Sequence, residues 1–107
     1  MTQNSLEREL LEAVEEGLSS LGDSPKQAIL FFLESSFKIE RDNIPANLTE
    51  FSEALEKIFG PGASHIEKLI VRCLYRKLGL KFEEANSWSF LDYVDVAKKR
   101  LPAKKNE

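Results

Sequence analysis

The sequence predicts an all-α fold, a compact bundle of about five helices. Apolar residues recur at helical spacing in nearly every segment of the 107-residue chain. Glycines and helix-opening Ser, Asn or Pro residues separate these segments. No segment alternates apolar and polar residues over the length of a strand. The length suggests one domain, so we expect a single helical domain over residues 1–101 and a frayed basic tail over 102–107.

The first helix is predicted from one apolar stripe near the N-terminus. Its residues Leu6, Leu10, Val14 and Leu18 recur four positions apart, as on one face of a helix. Gly22 follows as a plausible helix stop.

The second helix is predicted over about residues 25–37, at the centre of the bundle. Ser24 can cap it and Pro25 suits its first turn. The run AILFFL, from Ala28 to Leu33, is apolar all round, and a helix of that kind normally has neighbours on several sides. If too few helices cover this run, the remainder is expected to be an oligomer interface.

A third and a fourth helix follow a connection over residues 38–46. Asn47 is expected to cap the third helix, whose apolar face extends to Phe59 before Gly60 ends it. The fourth helix is expected from about Ser64 to Leu78, where Gly79 stops it.

A fifth helix is predicted to open at the sequence Ser89-Phe90-Leu91-Asp92. The polar segment before it, residues 81–88, is expected to be an ordered loop that the rings of Phe82 and Trp88 hold in place.

The joint between the third and fourth helices, GPGASHIE, has two interpretations. A glycine turn before a helix can present free backbone N–H groups to an anion, so the Gly60–Ser64 segment could serve an enzyme or an anion sensor. The structural interpretation is favoured, because Ser64 and Glu67 have the spacing of a capping box that uses those donors. His65 has no base or nucleophile beside it and is expected to face water.

The charges are unevenly distributed along the chain. The first 24 residues hold six carboxylates and one arginine. A basic face is predicted on and just after the fourth helix. This face can contact phosphates together with the basic tail, or it can pair with the acidic first helix. Its residues are Lys68, Arg72, Arg76, Lys77 and Lys81.

Several classes of site are excluded or disfavoured by composition. Cys73 is the only cysteine and His65 the only histidine, so one chain cannot form an internal disulfide or a Cys/His zinc site. We expect no metal and no cofactor. The Cys73 thiol is expected to be inert, because it lies on the apolar face of the fourth helix. The longest apolar run has six residues where a membrane span needs about 20, so a cytoplasmic protein is expected.

Four segments together carry a resemblance to a known group of proteins. They are GDSPKQAILFFLESSFKI, IPANLTEFSEALEKIFGPGASHIEKLI, LYRKLGLKF and FLDYV. Over about residues 5–100 the chain resembles a group of small, all-helical archaeal proteins with no assigned activity. The shared motifs are helix joints, so the resemblance implies a helical fold and identifies no catalytic residues.

These observations favour a non-enzymatic protein-protein interaction module, with a homodimer as one form of it. Its candidate interface residues are the aromatic side chains of Phe31, Phe32 and Tyr93. The alternative is a nucleic-acid-associated protein that uses the basic face, and the third hypothesis is an enzyme or anion sensor at the Gly60–Ser64 joint.

Overall fold

The computed structural model of this chain describes residues 5–85 and 87–100. These residues form five α-helices: α1 Ser5–Ser19, α2 Asp23–Phe37, α3 Leu48–Phe59, α4 Ala63–Leu78 and α5 Phe90–Arg100. Short 3-10 segments at Arg41–Ala46 and Gly60–Gly62 precede α3 and α4. No strand occurs within the described ranges, and the predicted all-α bundle is confirmed. The predicted tail over 102–107 lies outside the described residues.

The core is built around α4, which packs against α1, α3 and α5. α1 and α4 approach each other closely at Gly17, where a Cβ atom would lie 2.7 Å from Ile70 Cγ1. The buried residues of α4 span about half of its circumference at 100° per residue, which lets one helix serve three neighbours. They are Ala63, Ile66, Ile70, Val71, Leu74 and Tyr75.

The second helix, α2, does not lie at the centre as predicted from its apolar run. It packs chiefly against α1 and α3, and its buried residues are Ile29 and Leu33. Phe31 is 70% exposed and Phe32 is 43% exposed. The central position belongs to α4, whose wide apolar face fills the space between three helices. The outer side of α2 is therefore left uncovered within the described chain.

The loop between α4 and α5 is held by an aromatic cluster that includes Phe82 and Trp88, as expected. Tyr93 of α5 is its centre: its ring stacks on Phe82 at 5.5 Å between centroids and meets Trp88 edge-on at 5.2 Å. The Tyr93 hydroxyl accepts a hydrogen bond from the Ala85 N–H and donates one to the Ala85 carbonyl. Tyr93 is 2% exposed, so its assignment to an interface is corrected: it is a core residue.

Two predicted N-caps are absent. α2 begins at Asp23, so Ser24 lies inside its first turn and Gly22 occupies the cap position without a side-chain hydrogen bond. Asn47 does precede α3, but its amide donates to the Asn43 carbonyl at 2.9 Å instead of capping the helix. In both cases a hydrogen-bonded turn precedes the helix: the Gly22 N–H donates to the Ser19 carbonyl, and the Asn47 N–H donates to the Ile44 carbonyl.

Other predicted helix ends are present. Ser89 and Asp92 form a reciprocal capping box, in which each side chain accepts a hydrogen bond from the other's backbone N–H. Gly60 and Gly79 end α3 and α4 with φ of 61° and 72°, a region that glycine adopts without steric cost. None of the helices in the described ranges combines the length and apolar character that a membrane crossing needs.

Candidate protein-interaction surface

The most prominent apolar surface among the described residues is the outer face of α2, where Phe31 and Phe32 are exposed among the smaller or polar residues Ser24, Gln27, Ala28, Glu34 and Ser35. Phe31 points away from the bundle because it lies about 200° around the helix from the buried Ile29. Ser24, Ala28 and Ser35 lie within about 60° of Phe31 on the same side. The exposed Gln27 and Glu34 lie within about 60° of Phe31 on the other side, so the ring has small side chains along one side and polar side chains along the other.

The outer face of α2 carries little charge. Among the exposed residues from Ser24 to Ser36, Glu34 is the one charged side chain. The exposed residues of α1, by contrast, are mostly charged, and include Glu7, Arg8 and Glu12. Aromatic enrichment and loss of charge together are typical of the buried part of a protein-protein interface.

Phe32 is held in a defined position at the edge of this face. Its ring packs edge-on against Phe37 with 5.8 Å between centroids. Phe37 is half-buried and packs against the hydrophobic core, as does Leu30. A partner would therefore meet a preformed apolar surface and would lose less entropy on binding than with mobile side chains.

Sequence reasoning identified Phe31 and Phe32 but missed the small residues around them. Ala28 and Ser35 lie three positions before and four positions after Phe31, which is the spacing of neighbours on one helix face. That spacing, combined with the low charge from residue 24 to 36, was the signal that could have defined the whole face.

Two residues of the predicted basic face pair with the acidic first helix. Arg76 bonds Glu16 at 2.9 Å, and Lys77 lies 3.0 Å from Glu16 and 3.4 Å from Glu12. The hydrogen bond from Lys77 lowers the pKa of Glu16, and the charges of Lys77 and Arg76 lower it further. These ion pairs join α1 to α4 and occupy the cations that phosphates would need.

The other three residues of the basic face also have partners within the chain. Their carboxylate partners and aromatic contact come from the loop that follows α4. Lys68 pairs with Glu84, Arg72 lies over the Phe82 ring at 5.5 Å from its centroid, and Lys81 pairs with Glu83 at 3.4 Å.

The predicted capping box at the α3–α4 joint is absent. The 3-10 turn Gly60–Gly62 continues directly into α4 at Ala63, so Ser64 lies inside the helix. The Ser64 hydroxyl approaches the Pro61 carbonyl at 3.5 Å, and Glu67 instead accepts a hydrogen bond from the Ser52 hydroxyl at 2.6 Å. The bond from Ser52 to Glu67 joins α3 to α4, a role that sequence reasoning missed. His65 is exposed, as expected.

An open depression of about 400 Å³ lies at this joint. Burial raises the pKa of Glu67, the Ser52 hydroxyl opposes that rise, and the nearby Glu56 charge adds to it. Two carboxylates beside the depression disfavour an anion, which is the ligand that the glycine turn first suggested. The lining residues are Glu56, Gly60, Pro61, Ala63, Ser64 and Glu67.

Replacing Glu67 with glutamine should stabilise the protein more at pH 7 than at pH 4. The raised folded-state pKa means that the stabilising contribution of the protonated carboxyl is present at low pH and is lost as the pH rises through that pKa. Glutamine keeps an acceptor for Ser52 and has no charge. We expect a gain of less than about 1 kcal/mol, because Glu67 is half-buried and solvent screens its charge.

Urea unfolding of the wild type and Glu67→Gln between pH 4 and 7 measures this effect. The matched control is Glu56→Gln, which should lower the pKa of Glu67 and reduce the pH dependence without removing the carboxyl. A gain that shrinks as the pH rises would mean that the ionised form of Glu67 is the stabilised one, which contradicts the prediction.

Cys73 and the remaining acidic residues offer no metal site in the described part of the chain. Burial raises the pKa of the partly buried Cys73 thiol, which favours its unreactive protonated form. Within residues 5–85 and 87–100, no group of three or more His, Cys, Asp or Glu side chains is arranged to hold a metal ion.

No protein-family model, curated protein or solved structure matches this chain. The resemblance to small archaeal helical proteins therefore stays a prediction.

Proposed function

We propose that this chain is a non-enzymatic protein-protein interaction module of the cytoplasm and that the outer face of α2 is its contact surface. The observation that carries the proposal is the 70% exposure of Phe31 at the middle of a helix face that has little charge. The archaeal origin and cytoplasmic location expected from the sequence belong to the same proposal.

The energetics support a role for this surface in binding. Full burial of a phenylalanine side chain contributes about 1.5–3 kcal/mol relative to exposure, and the isolated fold leaves most of that contribution unused at Phe31. Large aromatic residues at the centre of an interface commonly dominate its binding energy. A partner that covers Phe31 and Phe32 would recover this stabilisation.

The nucleic-acid alternative has weaker support. Each of the five residues of the basic face has a carboxylate or aromatic partner in the chain, and a phosphate would have to displace it. Lys98, Lys99 and Arg100 at the end of α5 are exposed and remain part of that alternative, although Lys99 lies 3.2 Å from the Asp95 carboxylate.

Phe31→Gln should abolish partner binding while leaving the fold intact. Glutamine is a good helix former, and a largely exposed position tolerates substitution within about 0.5 kcal/mol. The measurement is quantitative affinity capture with the immobilised full chain, from a lysate that also contains the untagged chain. Proteins recovered by the wild type should be lost with Phe31→Gln.

The matched control is Glu53→Gln, an exposed position on α3 away from the outer face of α2. It should recover the same proteins as the wild type. Equal recovery by Phe31→Gln and the wild type would overturn the proposal. Recovery of nucleic acid alone, insensitive to Phe31→Gln, would favour the nucleic-acid alternative.

A further inference from the structure

We infer that the partner of the outer face of α2 is a second copy of this chain, packed against it in an antiparallel orientation through the same face. This inference rests on the proposed function, because it requires that face to be the contact surface. The charges at the two ends of α2 indicate both the identity of the partner and the orientation of the two helices.

The two ends of α2 carry opposite exposed charges. Asp23 is the first residue of the helix, and Lys38 follows its last residue with a left-handed φ of 61°. Neither side chain takes part in the ion pairs formed within the described residues. The charge of each is therefore available to a partner.

An antiparallel pair of α2 helices brings these charges together twice. When the two helices run in opposite directions, the Asp23 carboxylate of one copy can lie beside the Lys38 ammonium of the other. Two-fold symmetry then repeats this contact at the other end of the pair. The helix dipoles also oppose each other favourably in this orientation. A parallel pair would instead place Asp23 beside Asp23 and Lys38 beside Lys38.

Matching residue 23 with residue 38 sets the register along the whole interface. Residue i of one copy then lies opposite residue 61 − i of the other, so Gln27 lies opposite Glu34 and its amide can donate to that carboxylate. The two Phe31 residues lie within about 1.5 Å of each other along the helix axis, at the midpoint of the contact. Ala28 is the next residue on the face, and its small side chain leaves room for the ring of the other copy.

The polar ends and the apolar middle are thus complementary in one register. Asp23 and Lys38 lie at the ends of the face, Gln27 and Glu34 lie along one edge of it, and the exposed aromatic residues lie nearer its centre, as in a polar rim around an apolar interface core. One helix from each copy buries less than the roughly 800 Å² per partner of a standard interface. We therefore expect a weak, concentration-dependent dimer.

The first test is sedimentation equilibrium of the full chain over a wide concentration range at low salt. The wild type should form a dimer, and Phe31→Gln should raise the dissociation constant at least tenfold. Glu53→Gln should leave it unchanged. A wild type that stays monomeric at all concentrations, or a dimer insensitive to Phe31→Gln, would overturn the inference.

The second test is a charge exchange that reports the orientation. Asp23→Lys and Lys38→Asp should each weaken the dimer roughly three- to tenfold, because each places like charges together at both ends of an antiparallel pair. The double variant should recover the wild-type affinity. Single variants that bind as well as the wild type, or a double variant as weak as either single one, would overturn the antiparallel arrangement. Circular dichroism of each monomer separates loss of association from loss of helix.

The outcomes distinguish this inference from the proposed function. If the wild type is monomeric but captures a different protein in a Phe31-dependent manner, the second copy is excluded and the interaction module stands. If Phe31→Gln changes neither self-association nor capture, both fail.

Discussion

Replacing Tyr93 by alanine should lower the free energy of unfolding by about 3–5 kcal/mol, the cost of removing a large buried aromatic ring. Tyr93 is 2% exposed and contacts Phe82, Trp88 and Tyr75 in one cluster. Its loss would leave a cavity and would also release the loop after α4. Urea unfolding followed by the fluorescence of Trp88, the only tryptophan, measures both the stability and the environment of that loop.

The matched control is Tyr93→Phe, which keeps the ring and removes the hydroxyl. That hydroxyl bonds the backbone of Ala85 at 2.8 and 3.1 Å, so its loss should cost about 0.5–1.5 kcal/mol. If Tyr93→Ala weakened self-association and left the stability unchanged, Tyr93 would be an interface residue, as the sequence first suggested. Equal costs for the two variants would show that ring packing contributes little.

Gly17→Ala should destabilise the protein by up to about 2 kcal/mol, although alanine is the better helix former. Overpacking costs about 1–3 kcal/mol, while the gain in helix propensity is about 1 kcal/mol. The new Cβ atom would lie 2.7 Å from Ile70 Cγ1, and 3.2 and 3.3 Å from the Ile70 Cα and N atoms. The side chain of Ile70 can rotate, but its backbone atoms can move only if α1 and α4 separate.

Gly62→Ala is the control for this prediction because it adds the same methyl group without crowding. Gly62 has a φ of −71°, and the nearest atom to its new Cβ would be Phe59 Cβ at 3.9 Å. This variant should be neutral or more stable by about 0.4–1 kcal/mol. Thermal and urea unfolding of both variants compares the two sites. A stabilised Gly17→Ala would contradict the close packing of α1 on α4.

Helix ends that depend on a few neighbouring residues were predictable. Gly60 and Gly79 end helices because glycine adopts positive φ without steric cost, whatever lies elsewhere in the chain. The Ser89 and Asp92 capping box likewise needs no distant partner. The box predicted at Ser64 failed because the preceding 3-10 turn continues into α4, so Ser64 never reaches a cap position.

The candidate site was predictable only in part. Phe31 and Tyr93 are both aromatic residues of predicted helices, and local pattern does not tell which of them faces solvent. The structure separates them: α5 and the loop after α4 enclose Tyr93, while the described chain leaves the outer side of α2 open. The bond between Ser52 and Glu67 was equally inaccessible, because its two residues are fifteen positions apart on different helices.

The sequence by itself determined the all-α class, the number of helices and most of the points where they stop, because these depend on spacing and backbone preference within a few residues. The tertiary structure alone decided which helix is central. Burial is a property of all the neighbours together, and α4 takes the centre because its apolar arc is wide enough for three of them. The apolar run of α2 then has more surface than the bundle covers within the described residues, and Phe31 is the part left exposed.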